Sequence, residues 1–239
     1  MVIQGIPLLL ASKWVGLCRR WQVREAKRFT SRETPQLLAA YRQFAQANQS
    51  GAPRQPFKGR DLWRILDSVR PASIVELGSG TTSAVFALWA REHAARYTAY
   101  EHHQAWSEVT SRCLDEAGLA PAAGSAGIVC IPTRVAADQS SIGFAQALPE
   151  DADFLYVDGP PCVLDSGRKV PNDDATRLLD GGHRPRAIVI DGRTETVDLL
   201  LKHPAISKYD FRPGLAYCLR KGLFLQALAG REHTLFLLK

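Results

Sequence analysis

The residues that decide the fold are Val75-Glu76-Leu77-Gly78-Ser79-Gly80-Thr81-Thr82. They follow a short β-rich run, Ser73–Leu77, and lead into a helix predicted over residues 81–91. Because glycine has no Cβ, Gly78 and Gly80 let the backbone turn tightly and come close to a ligand. The helix that follows directs its unpaired N–H groups toward the same place. The stretch therefore predicts a ligand-binding loop between a strand and a helix.

Strands and helices alternate along the rest of the chain. Strands are predicted at 73–77, 97–100, 127–131, 153–157 and 186–190, and helices at 81–91, 104–117, 173–179 and 195–202. The strand-like pieces 209–211 and 234–238 are expected to close the sheet in antiparallel fashion. This alternation predicts an α/β fold with a mostly parallel sheet and helices on both faces. Ligands bind such sheets beyond the carboxyl ends of the strands.

The N-terminal part of the chain is predicted to be a helical extension. Pro35 to Asn48 has helical spacing of apolar residues, and Lys58 to Val69 forms a second helix. Between them, Ser50-Gly51-Ala52-Pro53 interrupts the pattern. We therefore divide the chain into a helical N-terminal extension, residues 1–52, and a ligand-binding domain, residues 53–239.

The composition is typical of one globular α/β domain. The chain has 239 residues, of which 46% are hydrophobic and 23% charged. Five widely spaced cysteines with no C-x-x-C pair argue against a disulfide framework and a zinc site, and favour a cytoplasmic location. The net charge of +6 is modest, and acidic residues are interleaved with basic ones, so no nucleic-acid partner is expected.

The first residues leave two interpretations open. Met1 to Cys18 is apolar in places, but too short and too interrupted for a transmembrane helix, and it lacks the basic start of a secretory signal. Clustered Arg and Lys up to Arg32 follow it, a pattern compatible with peripheral contact with an anionic membrane. The alternative is a helix that caps the domain or packs on another copy of the chain, as in a homo-oligomer.

Glu76 bears on the choice of ligand. A nicotinamide dinucleotide fold uses G-x-G-x-x-G to hold a pyrophosphate, but here the third position is Ser83. A carboxylate next to the loop would repel a pyrophosphate and attract the sulfonium and ammonium groups of S-adenosylmethionine. The loop therefore favours the methyl donor over NAD.

Three further residues are predicted to bind the donor's nucleoside. Glu101 lies 21 residues after Gly80, at the end of the second strand, where an acid accepts hydrogen bonds from ribose hydroxyls. His102 is expected to pack at the adenine edge, and Asp138 to accept a hydrogen bond from the adenine amino group.

With Glu76-x-Gly78-x-Gly80 and the acid after the second strand, the sequence resembles the class I S-adenosylmethionine-dependent methyltransferases. The turns Asp158-Gly159-Pro160-Pro161 and Asp191-Gly192-Arg193 are similar to those of a bacterial small-molecule subgroup with a DGPP turn after the fourth strand. The resemblance covers roughly residues 58–239. It implies a Rossmann-like seven-stranded sheet with a C-terminal antiparallel hairpin, and a donor bound over the first, second and fourth strand ends. The residues predicted to bind the cofactor are Glu76, Gly78, Ser79, Gly80, Thr81, Thr82, Glu101, His102, Asp138 and Asp158.

Asp158 is also the predicted catalytic residue. At its strand end it would accept a proton from the acceptor or bind a metal, or else close the turn or hold the donor's amino group. Asp191 and Arg193 are predicted to bind the substrate. Where the subgroup often has two adjacent acids after the fifth strand, this chain has Asp191-Gly192, so no metal site is predicted.

The predicted function is therefore methyl transfer from S-adenosylmethionine to oxygen or nitrogen of a small molecule, for example a sugar or a secondary metabolite. Two alternatives stay open at this point: an NAD-dependent oxidoreductase, and a catalytically inactive donor-binding module at a membrane surface.

Overall fold

A computed structural model of the chain describes residues 20–47, 56–121, 126–223, 226 and 231–239. The interpretations of Met1 to Cys18 and the boundary between residues 52 and 53 lie outside these ranges.

Seven strands form one twisted sheet. The strands of this sheet are β1 Ser73–Leu77, β2 Arg96–Glu101, β3 Gly127–Cys130, β6 Phe154–Val157, β7 Ala187–Ile190, β8 Tyr209–Arg212 and β9 Thr234–Leu238. Their order across the sheet is β3-β2-β1-β6-β7-β9-β8; the first five are parallel to their neighbours in that run, and β9 is antiparallel to both β7 and β8. The predicted α/β class, the seven strands and the antiparallel C-terminal hairpin are confirmed.

Helices cover both faces of this sheet. They are α1 Pro35–Ala47, α2 Pro56–Val69, α3 Ser83–His93, α4 Gln104–Glu116, α5 Asp174–Asp180, α6 Thr194–Leu201 and α7 Leu215–Arg220. Alternate residues of one strand serve opposite faces: Phe154 and Tyr156 belong to one hydrophobic core, and Leu155 and Val157 to the other. In the sequence, strands that are buried on both faces in this way are continuous runs of apolar residues.

The N-terminal helices share the first of these cores. Residues 20–28 are helical and continue into a π-helical turn, Phe29–Glu33. Phe29 lies edge-on to Trp63 of α2, with ring centroids 5.6 Å apart. α1 packs on α3 and α4 and is buried through Leu37, Ala40, Tyr41 and Phe44. The predicted helical extension thus contributes directly to the core of the sheet domain.

Three short elements were absent from the sequence-based prediction. They are a separate hairpin of β4 Thr133–Val135 and β5 Ile142–Phe144, a 3₁₀ helix Pro204–Lys208, and α7. The hairpin is held by a residue outside it, Asp173. Arg134 contacts both carboxylate oxygens of Asp173 at 2.7 and 2.8 Å, and Ser141 donates to the same carboxylate. In the described part of the chain, no helix is long and apolar enough to cross a membrane.

Candidate active site

A cavity of about 320 Å³ opens at the carboxyl ends of the parallel strands. The register places these ends side by side, with Leu77 opposite Val157 and Val157 opposite Ile190. The loops that follow these strands therefore meet over one site. The cavity is lined by Tyr41, Lys58, Gly59, Ser79, Gly80, Thr81, Thr82, Trp106, Asp158 and Asp191.

Gly78 and Gly159 bring two of these loops into direct backbone contact. Gly78 has a φ of +88°, and a Cβ added there would lie 2.6 Å from the Cα of Gly159. A Cβ on Gly159 would in turn lie 2.4 Å from the Cα of Gly78. Any larger residue at either position would push the loop after β1 away from the loop after β6. Gly78 does not line the cavity itself, but it allows the two loops that form the cavity to lie against each other.

Gly80 is different, because nothing in the chain itself requires glycine there. A Cβ at this position would meet only the Trp106 ring, at 3.9 Å, which is an ordinary contact. Gly80 lines the cavity, so an added Cβ would narrow the space available to a ligand. The glycine at position 80 is therefore explained by the space that a ligand would need in the cavity and not by the packing of the chain.

Glu76 holds the loop from beneath and is not part of the cavity lining. Its carboxylate is completely buried and accepts hydrogen bonds from the hydroxyls of Thr82 at 2.6 Å, Ser83 at 2.7 Å and Tyr97 at 2.5 Å. Burial raises the pKa of Glu76 to about 7, against the effect of these three donors. Glu76 was predicted to attract the cationic groups of the donor. In the structure its carboxylate contacts these three hydroxyl groups and does not line the cavity. Ser83, which marked the departure from the dinucleotide pattern, is one of its partners.

Glu101 is buried between the glycine loop and the end of β2. One carboxylate oxygen accepts from the backbone N–H and the hydroxyl of Ser79, at 3.0 and 3.2 Å. The other accepts from the backbone N–H groups of His102 and His103, at 2.8 and 3.0 Å. All four acceptor directions of the carboxylate are thus in use. The Ser79 hydroxyl has a second partner within reach, Thr110 Oγ1 at 3.3 Å.

A second cavity of about 500 Å³ lies on the other side of Glu101. Its lining comes from the residue after β2, from the β4–β5 hairpin and from the segment after the Asp158 turn, and includes His102, Val135, Gln139, Pro161 and Leu164. Asp138 is in the loop of this hairpin, where it is exposed and accepts from the Ser140 N–H at 3.0 Å. The structure thus places Asp138 next to a lining residue, Gln139, but not in the lining itself.

Asp158 follows β6 and projects into the first cavity, with 42% of its side-chain surface accessible. The protein around it and the negative charge of Asp191 raise its pKa to about 7, while Arg193, Lys58 and His233 act in the opposite direction. A carboxylate with such a pKa, open to a cavity, is suited to accept a proton at neutral pH.

Arg193 fastens the Asp158 turn from outside the cavity. Its guanidinium donates to the backbone oxygens of Asp158 and Pro160, the latter at 2.9 Å, and lies 3.5 Å from the Asp158 carboxylate. It also contacts the Cys162 sulfur at 3.3 Å. Arg193, which was predicted to bind the substrate, thus directs its two terminal amino groups at the backbone of the turn and is not part of the cavity lining.

Asp191, predicted to bind the substrate, does line the first cavity. Only 9% of its side-chain surface is accessible, and one of its oxygens forms an ion pair with the ammonium of Lys58. The same oxygen accepts from the Tyr156 hydroxyl at 3.3 Å.

Helix α2 is anchored to the sheet at a second point, one turn beyond Lys58. His233, which is completely buried, places Nδ1 2.8 Å from the carboxylate of Asp61. Its ring lies edge-on to Tyr156, with centroids 5.8 Å apart. α2 is therefore held by an ion pair at the end of β7 and by a hydrogen bond just before β9, and it forms a wall of the first cavity.

Sequence reasoning missed Tyr41, Lys58 and Trp106. The first two come from helices that precede the glycine loop, and neither is part of a recognisable motif. The indole of Trp106 donates to the backbone oxygen of Ser79 at 2.8 Å and so braces the loop. Its position five residues after Glu101, in the first turn of a helix that starts beside the site, was the available signal. Among the residues that the structure describes, no group of three or more His, Cys, Asp and Glu side chains is arranged to hold a metal ion.

The sequence matches no protein-family model and no curated protein. Solved structures do resemble it. The O-methyltransferase from Bacillus cereus in complex with SAH matches over 96% of this chain and 100% of its own, with a TM-score of 0.56 and 13% identity. Cofactor-bound Rv0187 from MTB matches over 90% and 95%, with a TM-score of 0.53 and 16% identity. The SAH-bound Podospora anserina methyltransferase PaMTH1 matches over 84% and 88%, with a TM-score of 0.51 and 12% identity.

At these identities the likeness establishes the fold. The chain has the Rossmann-like fold found in these methyltransferases. The match covers nearly the full length of both molecules.

Proposed function

We propose that this protein is an S-adenosylmethionine-dependent methyltransferase that acts on a small molecule. The observation that carries the proposal is the first cavity, where the loop Ser79–Thr82 meets Asp158 at the switch point of a parallel sheet. Gly80 faces this cavity although the fold itself does not require a glycine there. The proposal is also supported by solved structures of the same fold that are described as methyltransferases with SAH bound.

The two cavities suggest how the donor would lie. Ser79 lines the first cavity, His102 lines the second, and Glu101 bonds to both residues. We therefore assign the first cavity to the methionine end and the second to the nucleoside, with the ribose above Glu101. Since the carboxylate of Glu101 is saturated, a ribose hydroxyl would take the direction now used by the Ser79 hydroxyl, which can turn to Thr110. The predicted contact of Asp138 with adenine belongs to this same proposal.

Asp158 is the proposed base. S-adenosylmethionine would supply the electrophilic methyl group, and the residues of the cavity would hold the acceptor in line with it. Asp158 accepts the proton that the acceptor loses, which favours transfer to a hydroxyl oxygen over transfer to a nitrogen that is already a free nucleophile. Arg193 keeps the Asp158 turn in place. The DGPP turn and this arrangement are also the basis for assigning the chain to the bacterial small-molecule subgroup.

Isothermal titration calorimetry tests the proposal directly. We expect S-adenosylmethionine and S-adenosylhomocysteine to bind with one-to-one stoichiometry, and NAD to give no measurable heat. Glu101→Gln should weaken S-adenosylhomocysteine binding, while Glu108→Gln, on the exposed side of α4, should not change it.

Tighter binding of NAD than of S-adenosylhomocysteine would replace the proposal with the oxidoreductase alternative. Donor binding without turnover on a panel of hydroxylated small molecules, together with flotation on anionic liposomes, would favour the inactive membrane module.

A further inference from the structure

Two carboxylates, Asp158 and Asp191, face the first cavity from neighbouring strand ends. The negative charge of Asp191 makes Asp158 a stronger proton acceptor, because it favours the protonated form of that neighbouring carboxyl group. The two groups differ in access, since 42% of the Asp158 side chain and 9% of the Asp191 side chain are accessible. Only Asp158 is open enough for an acceptor to reach it easily.

The two carboxylates also differ in their partners. The Lys58 ammonium is in direct contact with Asp191, which in addition accepts from the Tyr156 hydroxyl. The cation nearest Asp158 is Arg193, at 3.5 Å, and its donors are mostly engaged with backbone oxygens. Asp191 therefore has a closer cationic partner than Asp158 has.

We propose that Lys58 is a positioning residue for methyl transfer: its ammonium is paired with Asp191, and this leaves Asp158 as the carboxylate of the cavity that takes up the acceptor's proton. This inference rests on the proposed function and extends it to a residue outside every motif of the sequence.

In the methyl transfer, the O–H bond of the acceptor would break, and its proton would pass to the Asp158 carboxylate. An electron pair of that oxygen would form the new bond to the methyl carbon, while the bond from the donor's sulfur to that carbon would break and leave its electron pair on sulfur. Asp191 stays in contact with Lys58 throughout.

The electrostatic surroundings of Asp158 agree with this division of roles. The negative charge of Asp191 influences Asp158 more strongly than the positive charge of Lys58 does, and together with burial it raises the pKa of Asp158 to about 7. The groups that face Asp158 from the elements packed around it are Lys58, Glu76, Tyr156, Asp191, Arg193 and His233.

The test is an NMR titration of the Asp158 carboxyl carbon in the full chain, without donor or acceptor. In Lys58→Met, a proton shared by the two carboxyl groups is no longer directed to Asp158, so the titration midpoint of Asp158 should fall by about one pH unit. Lys58→Arg keeps the charge and should retain the wild-type midpoint. Asp191→Asn removes the negative neighbour directly and should lower the midpoint in the same way.

A midpoint that rises in Lys58→Met would overturn the inference, because it would mean that Lys58 acts on Asp158 only by direct attraction to its carboxylate. An unchanged midpoint in folded Lys58→Met would do the same, whatever Asp191→Asn shows. Near-ultraviolet circular dichroism checks that each variant is folded, and Lys58→Gln takes the place of Lys58→Met if that variant is not.

The activity of the same variants separates this inference from the proposed function. The acidic limb of the pH–rate profile should move with the NMR midpoint, and the maximal rate of Lys58→Met should fall about tenfold because a weaker base accepts the proton. Coupling seen by NMR in a protein that transfers no methyl group would refute the proposed function and leave the charge arrangement intact. Methyl transfer with an unshifted profile would refute the role of Lys58 alone.

Discussion

Glu76 shows how a single buried carboxyl group stabilises a binding loop. Its two oxygens collect the hydroxyls of Thr82, Ser83 and Tyr97, so the end of β1, the start of α3 and the neighbouring strand β2 converge on one side chain. Because the group is completely buried, its protonation is coupled to folding.

The stability of the protein should depend on pH through Glu76. Burial raises the pKa of Glu76 from 4.5 to about 7, so the folded chain holds this proton more tightly than the unfolded chain. The resulting stabilisation is complete below pH 4.5 and is lost as the pH rises through about 7. Glu76→Gln carries no such proton. Between about pH 5 and about pH 8, the free energy of unfolding of the wild type should therefore fall by on the order of 2 kcal/mol relative to this variant.

Urea denaturation at several pH values measures this difference. Glu150, whose side chain is 83% exposed, provides the matched control, since Glu150→Gln should leave the pH dependence as it is. Parallel stability curves for the wild type and Glu76→Gln would show that Glu76 is ionised at no cost in the folded state.

Replacement of Asp158 should stop methyl transfer without unfolding the protein. Because a base contributes on the order of 100-fold or more to the rate, both Asp158→Ala and Asp158→Asn should lower kcat at least that far. Donor affinity and thermal stability should change little, and Asp151→Asn, at an exposed ion pair with Arg96, should behave as wild type. An Asn variant with nearly normal kcat would instead assign Asp158 to hydrogen bonding with the donor's amino group.

At the scale of elements, the two glycines of the loop after β1 should respond differently to the same change. Gly78→Ala places a Cβ against the backbone of Gly159 at a positive φ, so it should lower the free energy of unfolding by about 2 kcal/mol or more. Gly80→Ala meets only an ordinary contact and should cost less than about 1 kcal/mol. Its methyl group enters the cavity, however, and should weaken S-adenosylhomocysteine binding at least about tenfold.

Thermal unfolding and calorimetry on the two variants separate these effects. Normal donor affinity in a folded Gly80→Ala protein would argue that the donor does not approach this loop.

The strands of the main sheet could be predicted from the sequence because each is a short apolar run at a regular distance from a helix. β1 was predicted with its exact bounds, and β6 and β7 each start one residue later than predicted. The β4–β5 hairpin could not be predicted in this way. Its strands have three residues each, and it depends on the contacts of Arg134 and Ser141 with Asp173, more than thirty residues away.

The candidate site shows the same limit. Residues that follow a strand, such as Glu101, Asp158 and Asp191, could be assigned to the site because a parallel sheet brings its strand ends together. Lys58 could not, because its partner Asp191 is 133 residues further along the chain and nothing near Lys58 marks the pairing. The sequence also predicted where Glu76 and Arg193 lie but not where their side chains point. Glu76 accepts from three hydroxyl groups, one of them on β2, and Arg193 donates to the backbone of the turn after β6.

At the scale of the whole molecule, the predicted division into residues 1–52 and 53–239 can be tested as a statement about folding. α1 buries Leu37, Ala40, Tyr41 and Phe44 in the core that covers one face of the sheet, and Tyr41 also lines the first cavity. The fragment 53–239 should therefore fail to unfold cooperatively, and Phe44→Ala in the full chain should cost about 3 kcal/mol or more.

A chain that begins at residue 20 retains α1 and should therefore unfold cooperatively. Differential scanning calorimetry compares the full chain, the fragment 53–239, Phe44→Ala and the chain that begins at residue 20. A cooperative transition in the fragment 53–239 would show that the sheet domain is an independent unit.

The position of β9 has a consequence for how the protein is made. β9 is the last strand of the 239 residues, yet it lies inside the sheet between β7 and β8, and His233 just before it reaches back 172 residues to Asp61. During synthesis, β7 and β8 are made before β9, so both keep unpaired hydrogen-bonding edges until Thr234–Leu238 has been added. A chain cut after His233 would therefore have two open strand edges available for aggregation, and His233 would lack the strand that holds it against Asp61.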